Sequence, residues 1–212
     1  MIHLLVGAAA AAAGAAAGYL LSKKSEEPSL QNTRTLIEYR VAVHEAGHTV
    51  AAWYNPYMVE IERVAIDDSV VGNGLTRFRV NANGHVNQLW YAIAGHLGGI
   101  AAEAFLLDKF RSGPARQDLQ LAKAVAREIA RRGALEPPWQ TPPAPSPIDF
   151  RRAYRHLTDD ELYVLSQSYA YVRHLLERDQ KRVEAVVQEL LHDGVVSPAD
   201  VRKIFGSRPF HL

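Results

Sequence analysis

Residues Arg40–Trp53 read RVAVHEAGHTVAAW and contain His44-Glu45-Ala46-Gly47-His48, an H-E-x-x-H pattern. Residues four apart share one face of an α-helix, so a helix here would aim two imidazoles at one point. Neutral imidazole nitrogens suit Zn2+, and a glutamate between them reaches water held on the metal. That carboxylate can act as general base, because the metal draws the water's pKa toward neutrality. The chain has 9 histidines in 212 residues; random order would yield only about 0.02 occurrences of the pattern. Two packed histidines and a solvated glutamate are the bland alternative.

The flanking pattern supports a helix from Ser29 to about Tyr54, with apolar residues at three- and four-residue spacings and Asn55-Pro56 as its stop. Val59 to Ile66 and Leu75 to Val80 alternate in polarity around Gly72-Asn73-Gly74, which predicts a short β-hairpin. Asn87 to Asp108 reads as an apolar helix whose Gly98-Gly99 and Ala101-Ala102 permit close packing. Gln117 to Arg132 reads as a third helix closed by Gly133. Residues 137–147 hold six of the eleven prolines and predict an extended loop. Asp149 to His192 predicts one or two helices, and Ser197-Pro198 opens a last one reaching Phe205. The expected fold is mainly α (α+β), a helical body with one small β-element.

Composition narrows the chemistry. Lys+Arg 24 against Asp+Glu 23 leaves a charge of +1, too little to hold nucleic acid. There is no cysteine, which excludes disulfides, thiol catalysis and thiolate-bound metal. Any metal must be held by His, Asp or Glu. Catalytic zinc takes three protein ligands and keeps one position open. Position 54 is Tyr, so no third histidine follows closely, and Glu103, Asp118, His85 and His96 all stand as candidates. Spacing alone does not choose among them. His96 otherwise reads as a core histidine, and His156, His174, His192 and His211 as surface or packing residues.

Ile2 to Leu21 is a run of 20 residues without a formal charge. As a helix it would extend roughly 30 Å, enough to cross a bilayer core. Lys23 and Lys24 follow it, and the positive-inside rule would keep the body on the cytoplasmic or matrix-like side. We expect one N-terminal transmembrane helix over residues 1–24, with a cleaved signal peptide or an Ala-rich targeting helix as the alternatives. Gly14-x-x-x-Gly18 would let two such helices approach closely.

Several stretches together resemble the FtsH-type ATP-dependent metalloproteases of peptidase family M41. VAVHEAGHTVAAW is similar to that family's zinc helix, and VEIERVAIDDSVVGNGLTRF to the strand pair after it. Leu97 to Glu103 resembles LGGRAAE, with Ile100 at the Arg position. Ser112 to Leu119 resembles the TGAxxDL segment, and residues 188–205 the closing helices. The resemblance implies zinc held by His44, His48 and Asp118, Glu45 as catalytic base, and Glu103 supporting a zinc-bound histidine. It places the peptidase domain at 34–206, after a linker at 25–33 and before a tail at 207–212.

The family carries an ATPase module, whereas Gly-Lys occurs nowhere in these 212 residues, so they hold no P-loop. The expectation is a membrane-anchored zinc endopeptidase, in a bacterial or organellar inner membrane, that cleaves flexible or unfolded segments without ATP. The strand at Gly74, Leu75 and Thr76 would pair with the substrate. A non-catalytic subunit of a membrane complex, or a peptidase partner for a separate ATPase, is the alternative; a homo-oligomer fits either. Nucleic acid is not an expected partner.

Overall fold

The computed structural model describes residues 30–67, 73–81, 84–107, 115–140, 150 and 156–210. The expected anchor and most of the linker lie outside the described residues. The chain divides into two units, 1–36 and 37–212. Of the first, residues 30–36 are described, and they are helical. The second carries the sheet and the remaining helices.

Helix α1 (Leu30–Trp53) ends as the sequence predicts. The Asn55 side chain accepts a hydrogen bond from the Tyr57 N–H at 2.9 Å, a local turn that competes with further helix. Strand β1 (Met58–Asp67) pairs antiparallel with β2 (Asn73–Val80), with Val64 opposite Thr76 and Ile66 opposite Gly74. Helices α2 (Val86–Leu106) and α3 (Arg116–Arg131) come after the hairpin. Then come α4 (Asp159–Arg178), α5 (Gln180–Asp193), β3 (Val195–Val196) and α6 (Pro198–Phe205).

The hairpin is in fact part of a three-stranded sheet of order β2-β1-β3, because Val195 and Val196 pair with Ala65 and Val64. Two residues carry no periodicity, so this strand has no signature in the sequence. Its pairing follows from Gly194, whose left-handed φ of 71° ends α5 and turns the chain toward β1. Among the described residues β2 is an edge strand of this sheet.

Capping boxes start two of the C-terminal helices. Thr158 and Glu161 exchange hydrogen bonds at the head of α4, and Ser197 and Asp200 do so at α6, where Pro198 is the first residue. The Pro-rich stretch is described up to residue 140, and it is not detached there. Trp139 stacks on Tyr171 with ring centroids 4.1 Å apart and meets Trp90 and Tyr91 edge-on. These aromatics tie the end of α3 to α2 and α4. Tyr169 and Tyr171 are core residues, and Tyr163 is exposed.

Helix α2 lies at the centre. Trp90, Ile93, Leu97, Ile100, Ala101 and Ala102 are fully buried. It is long and apolar enough to cross a membrane, but 61% of its most apolar window is buried within the protein, as in a core helix. Gly47 of α1 and Gly98 of α2 meet backbone to backbone. A Cβ on Gly98 would lie 2.9 Å from the Gly47 carbonyl carbon and 2.9 Å from the His48 Cα. This contact brings the two chemistry-bearing helices together.

Candidate metal centre

His44 and His48 project from one face of α1, and Asp118 reaches them from the first turn of α3. The three residues form a group whose ligand atoms lie within 4.8 Å of one another. His44 Nε2 is 3.0 Å from Asp118 Oδ2 and 3.0 Å from His48 Nε2, and His48 Nε2 is 3.3 Å from Asp118 Oδ2. Tetrahedral ligands at zinc bond lengths stand about 3.3 Å apart, so this triangle is close to the size the ion requires.

The far ring nitrogens decide what the near ones offer. His48 Nδ1 donates to the Gly95 carbonyl at 2.8 Å, since a carbonyl can only accept. His44 Nδ1 donates to Glu103 Oε1, also at 2.8 Å. In the neutral rings both Nε2 atoms therefore carry bare lone pairs aimed at the Asp118 carboxylate. Three acceptor atoms at about 3 Å repel one another unless something positive lies between them. The donor set thus fits a cation, and its N,N,O composition suits zinc.

The surrounding charges favour positive charge at this point, whether a proton on His44 or an ion between the ligands. Burial opposes a positive His44 ring. Its hydrogen bonds to Asp118 and Glu103, with the nearby Glu45 carboxylate, outweigh that and raise its pKa from 6.5 to about 9. Burial likewise opposes the Asp118 carboxylate, yet its bonds to His44 and His48 hold it well below the usual carboxylate range. His96 lines the same cavity, but its nitrogens are not among the three converging atoms, and burial lowers its pKa. His85 is exposed before α2, and His156, His174 and His192 are exposed as expected. His211 lies outside the described residues.

Asp118 occupies the third position of α3, where an acid also favours the helix dipole. The cap itself is Ala115, which makes no side-chain bond, so the carboxylate is free to face the histidines. Glu103 is fully buried. Among the described residues its second oxygen has no hydrogen-bond partner, but Arg40 Nε lies 3.8 Å away. The motif gave no reason to single out Arg40, although it sits one helical turn before His44 on the same face.

Glu45 is 5% exposed, and its Oε2 accepts from the Thr76 hydroxyl at 2.6 Å. Gly74 lies against the other oxygen, because a Cβ there would be 2.5 Å from Glu45 Oε1. Leu75, between them, turns outward and is 43% exposed. Gly99 has a role that the expectation of close helix packing missed. A Cβ there would strike the His44 ring at 2.5 Å, so this glycine makes room for the imidazole. His44, Glu45, Gly74, Leu75 and Thr76 line a cavity of about 570 Å³, whose wall also includes the apolar residues Phe78, Leu89 and Tyr91.

This arrangement suits a metal ion with a buried carboxylate beside it, and comparison with known proteins points to metalloproteases. Residues 33–133 match the model of peptidase family M41. The chain is 29% identical to the mitochondrial ATP-dependent zinc metalloprotease FTSH 3 of Arabidopsis thaliana, over 90% of this chain and 24% of that protein. It is 30% identical to the ATP-dependent zinc metalloprotease FtsH 2 of Symbiobacterium thermophilum, over 79% of this chain and 30% of that protein. It is 27% identical to the mitochondrial inner membrane m-AAA protease component yta12 of Schizosaccharomyces pombe, over 90% of this chain and 25% of that protein. Residues 33–133 thus resemble the peptidase domain of family M41, and most of the chain is similar to zinc metalloproteases of the FtsH type. It spans about a quarter to three tenths of the length of these relatives.

Proposed function

We propose that this protein is a zinc endopeptidase that hydrolyses peptide bonds in flexible or unfolded protein segments. The observation that supports this best is the convergence of His44 Nε2, His48 Nε2 and Asp118 Oδ2 at 3.0–3.3 Å, next to the sequestered Glu45 carboxylate. Those three atoms would hold Zn2+, which when bound supplies a Lewis acid and lowers the pKa of water.

The chain's own groups supply the rest. The edge strand β2 offers backbone N–H and C=O groups beside the cavity, to which an extended peptide adds as a further strand. Glu45 takes a proton from the attacking water as its oxygen bonds to the carbonyl carbon. It passes that proton to the amide nitrogen as the C–N bond breaks, leaving an amine and a carboxylic acid that releases its remaining proton to solvent. Glu103 holds the His44 ring, and Arg40 offsets the charge of that buried carboxylate.

We place this activity at a membrane, with residues 1–24 as the anchor. Relatives named as inner-membrane protease components and the uncharged N-terminal run support this. Hydrolysis is read as independent of ATP, because the residues assigned to it include no nucleotide-binding loop. A second reading, a peptidase partner for a separate ATPase within an oligomer, rests on relatives named ATP-dependent, of which the chain spans a fraction.

The test uses the full chain in detergent. Bound zinc is measured, and casein cleavage is followed with and without a chelator. One equivalent of zinc, with cleavage lost on chelation and restored by zinc, is the expected result. Neither bound zinc nor cleavage, with or without an added ATPase, returns the chain to a scaffold role. Glu103→Gln keeps the side-chain shape and removes its charge, so zinc affinity falls about 10–100-fold in competition with a chromogenic chelator. Unchanged affinity would remove Glu103 from the metal's support.

A further inference from the structure

Strand β2 does more at this site than offer an edge. Its residues alternate, and the inward ones at its start are Gly74 and Thr76. Thr76 Oγ1 is 2.6 Å from Glu45 Oε2 and 3.3 Å from the Glu45 carbonyl oxygen. The short contact is a charge-assisted hydrogen bond, with the hydroxyl donating to the carboxylate. On the other side the missing Cβ of Gly74 leaves a slot filled by Glu45, whose Oε1 and Cγ would lie 2.5 and 2.7 Å from that Cβ. One carboxylate oxygen is therefore tethered and the other confined, both by the strand that borders the cavity.

We infer that Thr76 is a positioning residue that fixes the Glu45 carboxylate for proton transfer and ties its orientation to the strand that receives substrate. The inference rests on the peptidase reading above. A glutamate on a helix has three side-chain torsions, and burial alone does not choose among its rotamers. The hydroxyl selects one. It also occupies one oxygen, so Oε1 is left as the atom that accepts and returns the proton. Because Thr76 sits within the edge strand, any shift of β2 on peptide addition is transmitted directly to the base. The sequence pattern could not reveal this. Thr76 and Glu45 are 31 residues apart, and a threonine in a strand is ordinary.

The experiment compares the zinc-loaded full chain with Thr76→Val, Thr76→Ser and Glu45→Ala, and with the Thr76→Val/Glu45→Ala double variant. Valine keeps the shape and the β-propensity and removes the hydroxyl. Serine keeps the hydroxyl. With Thr76→Val, kcat on a flexible peptide falls about 10–100-fold, while KM and bound zinc stay within about twofold. Thr76→Ser recovers most of the loss.

A second readout needs no activity. Thr76→Val lowers the thermal midpoint by several degrees when Glu45 is present and by much less when Glu45 is already alanine, as expected for two coupled groups. Unchanged kcat in Thr76→Val, a serine variant as impaired as the valine one, or the same thermal loss in both backgrounds would overturn the inference. A wild type that cleaves nothing would overturn the peptidase reading instead, and the thermal comparison would still decide whether the hydroxyl holds Glu45.

Discussion

Glu45→Gln lowers the rate of peptide hydrolysis about 10²–10⁴-fold while the protein keeps its zinc and its fold. The substitution is nearly isosteric. Its amide oxygen still accepts from the Thr76 hydroxyl, and the slot against Gly74 still fits it. His44, His48 and Asp118 are untouched, so metal content measured on the purified variant stays at one equivalent. What disappears is a group able to take and return a proton. Side chain, metal and chemistry are thus separated by one atom's change. A variant within tenfold of wild type would strip Glu45 of its role as base, whatever the metal does.

Gly47→Ala is the largest expected effect on stability. The added Cβ would lie 2.6 Å from the Ala102 Cβ and 2.7 Å from the Gly98 carbonyl carbon, and closer still to the Gly98 oxygen. Most of these atoms belong to backbone, so no rotamer relieves the clash. Helices α1 and α2 must part, at a cost of about 3 kcal/mol. In a chain of this size that lowers the thermal midpoint by about 6–12 °C. The same movement would pull His48 from the Gly95 carbonyl and His44 from Glu103, so zinc affinity falls as well. Gly133→Ala is the contrast. That glycine has φ of 64°, and among the described residues nothing lies near its missing Cβ, so the cost is the backbone strain alone, about 1–2 kcal/mol. Calorimetry of both variants makes the comparison. A Gly47→Ala protein as stable as wild type would mean that the two helices do not cross at this glycine.

Much of the fold was legible because it is local. The start and stop of α1, the β1–β2 pairing and the cap of the last helix each depend on residues close in sequence, where spacing and turn chemistry speak for themselves. So did the two histidines, since four residues of helix bring them together whatever the rest of the chain does. β3 was illegible for the opposite reason: a two-residue strand exists only because β1 is there to pair with it. The candidate third ligand shows the boundary most clearly. Glu103, Asp118, His85 and His96 were equivalent by spacing, and family resemblance rather than the residues themselves singled out Asp118. In the folded chain they separate by position. Asp118 faces the near nitrogens, Glu103 the far one, His96 only borders the cavity and His85 is exposed.

By itself, then, the sequence determined that two imidazoles would share one helical face with a carboxylate beside them, and that no thiol could replace them. Helix geometry acts over four residues and needs no partner. The tertiary structure decided which distant acid closes the triangle, which carbonyl and carboxylate orient the rings, and which strand restrains Glu45. Those choices depend on how closely two helices pass at Gly47 and Gly98 and on which face of β2 turns inward. Close packing sets both, and it exists only once the whole domain has assembled.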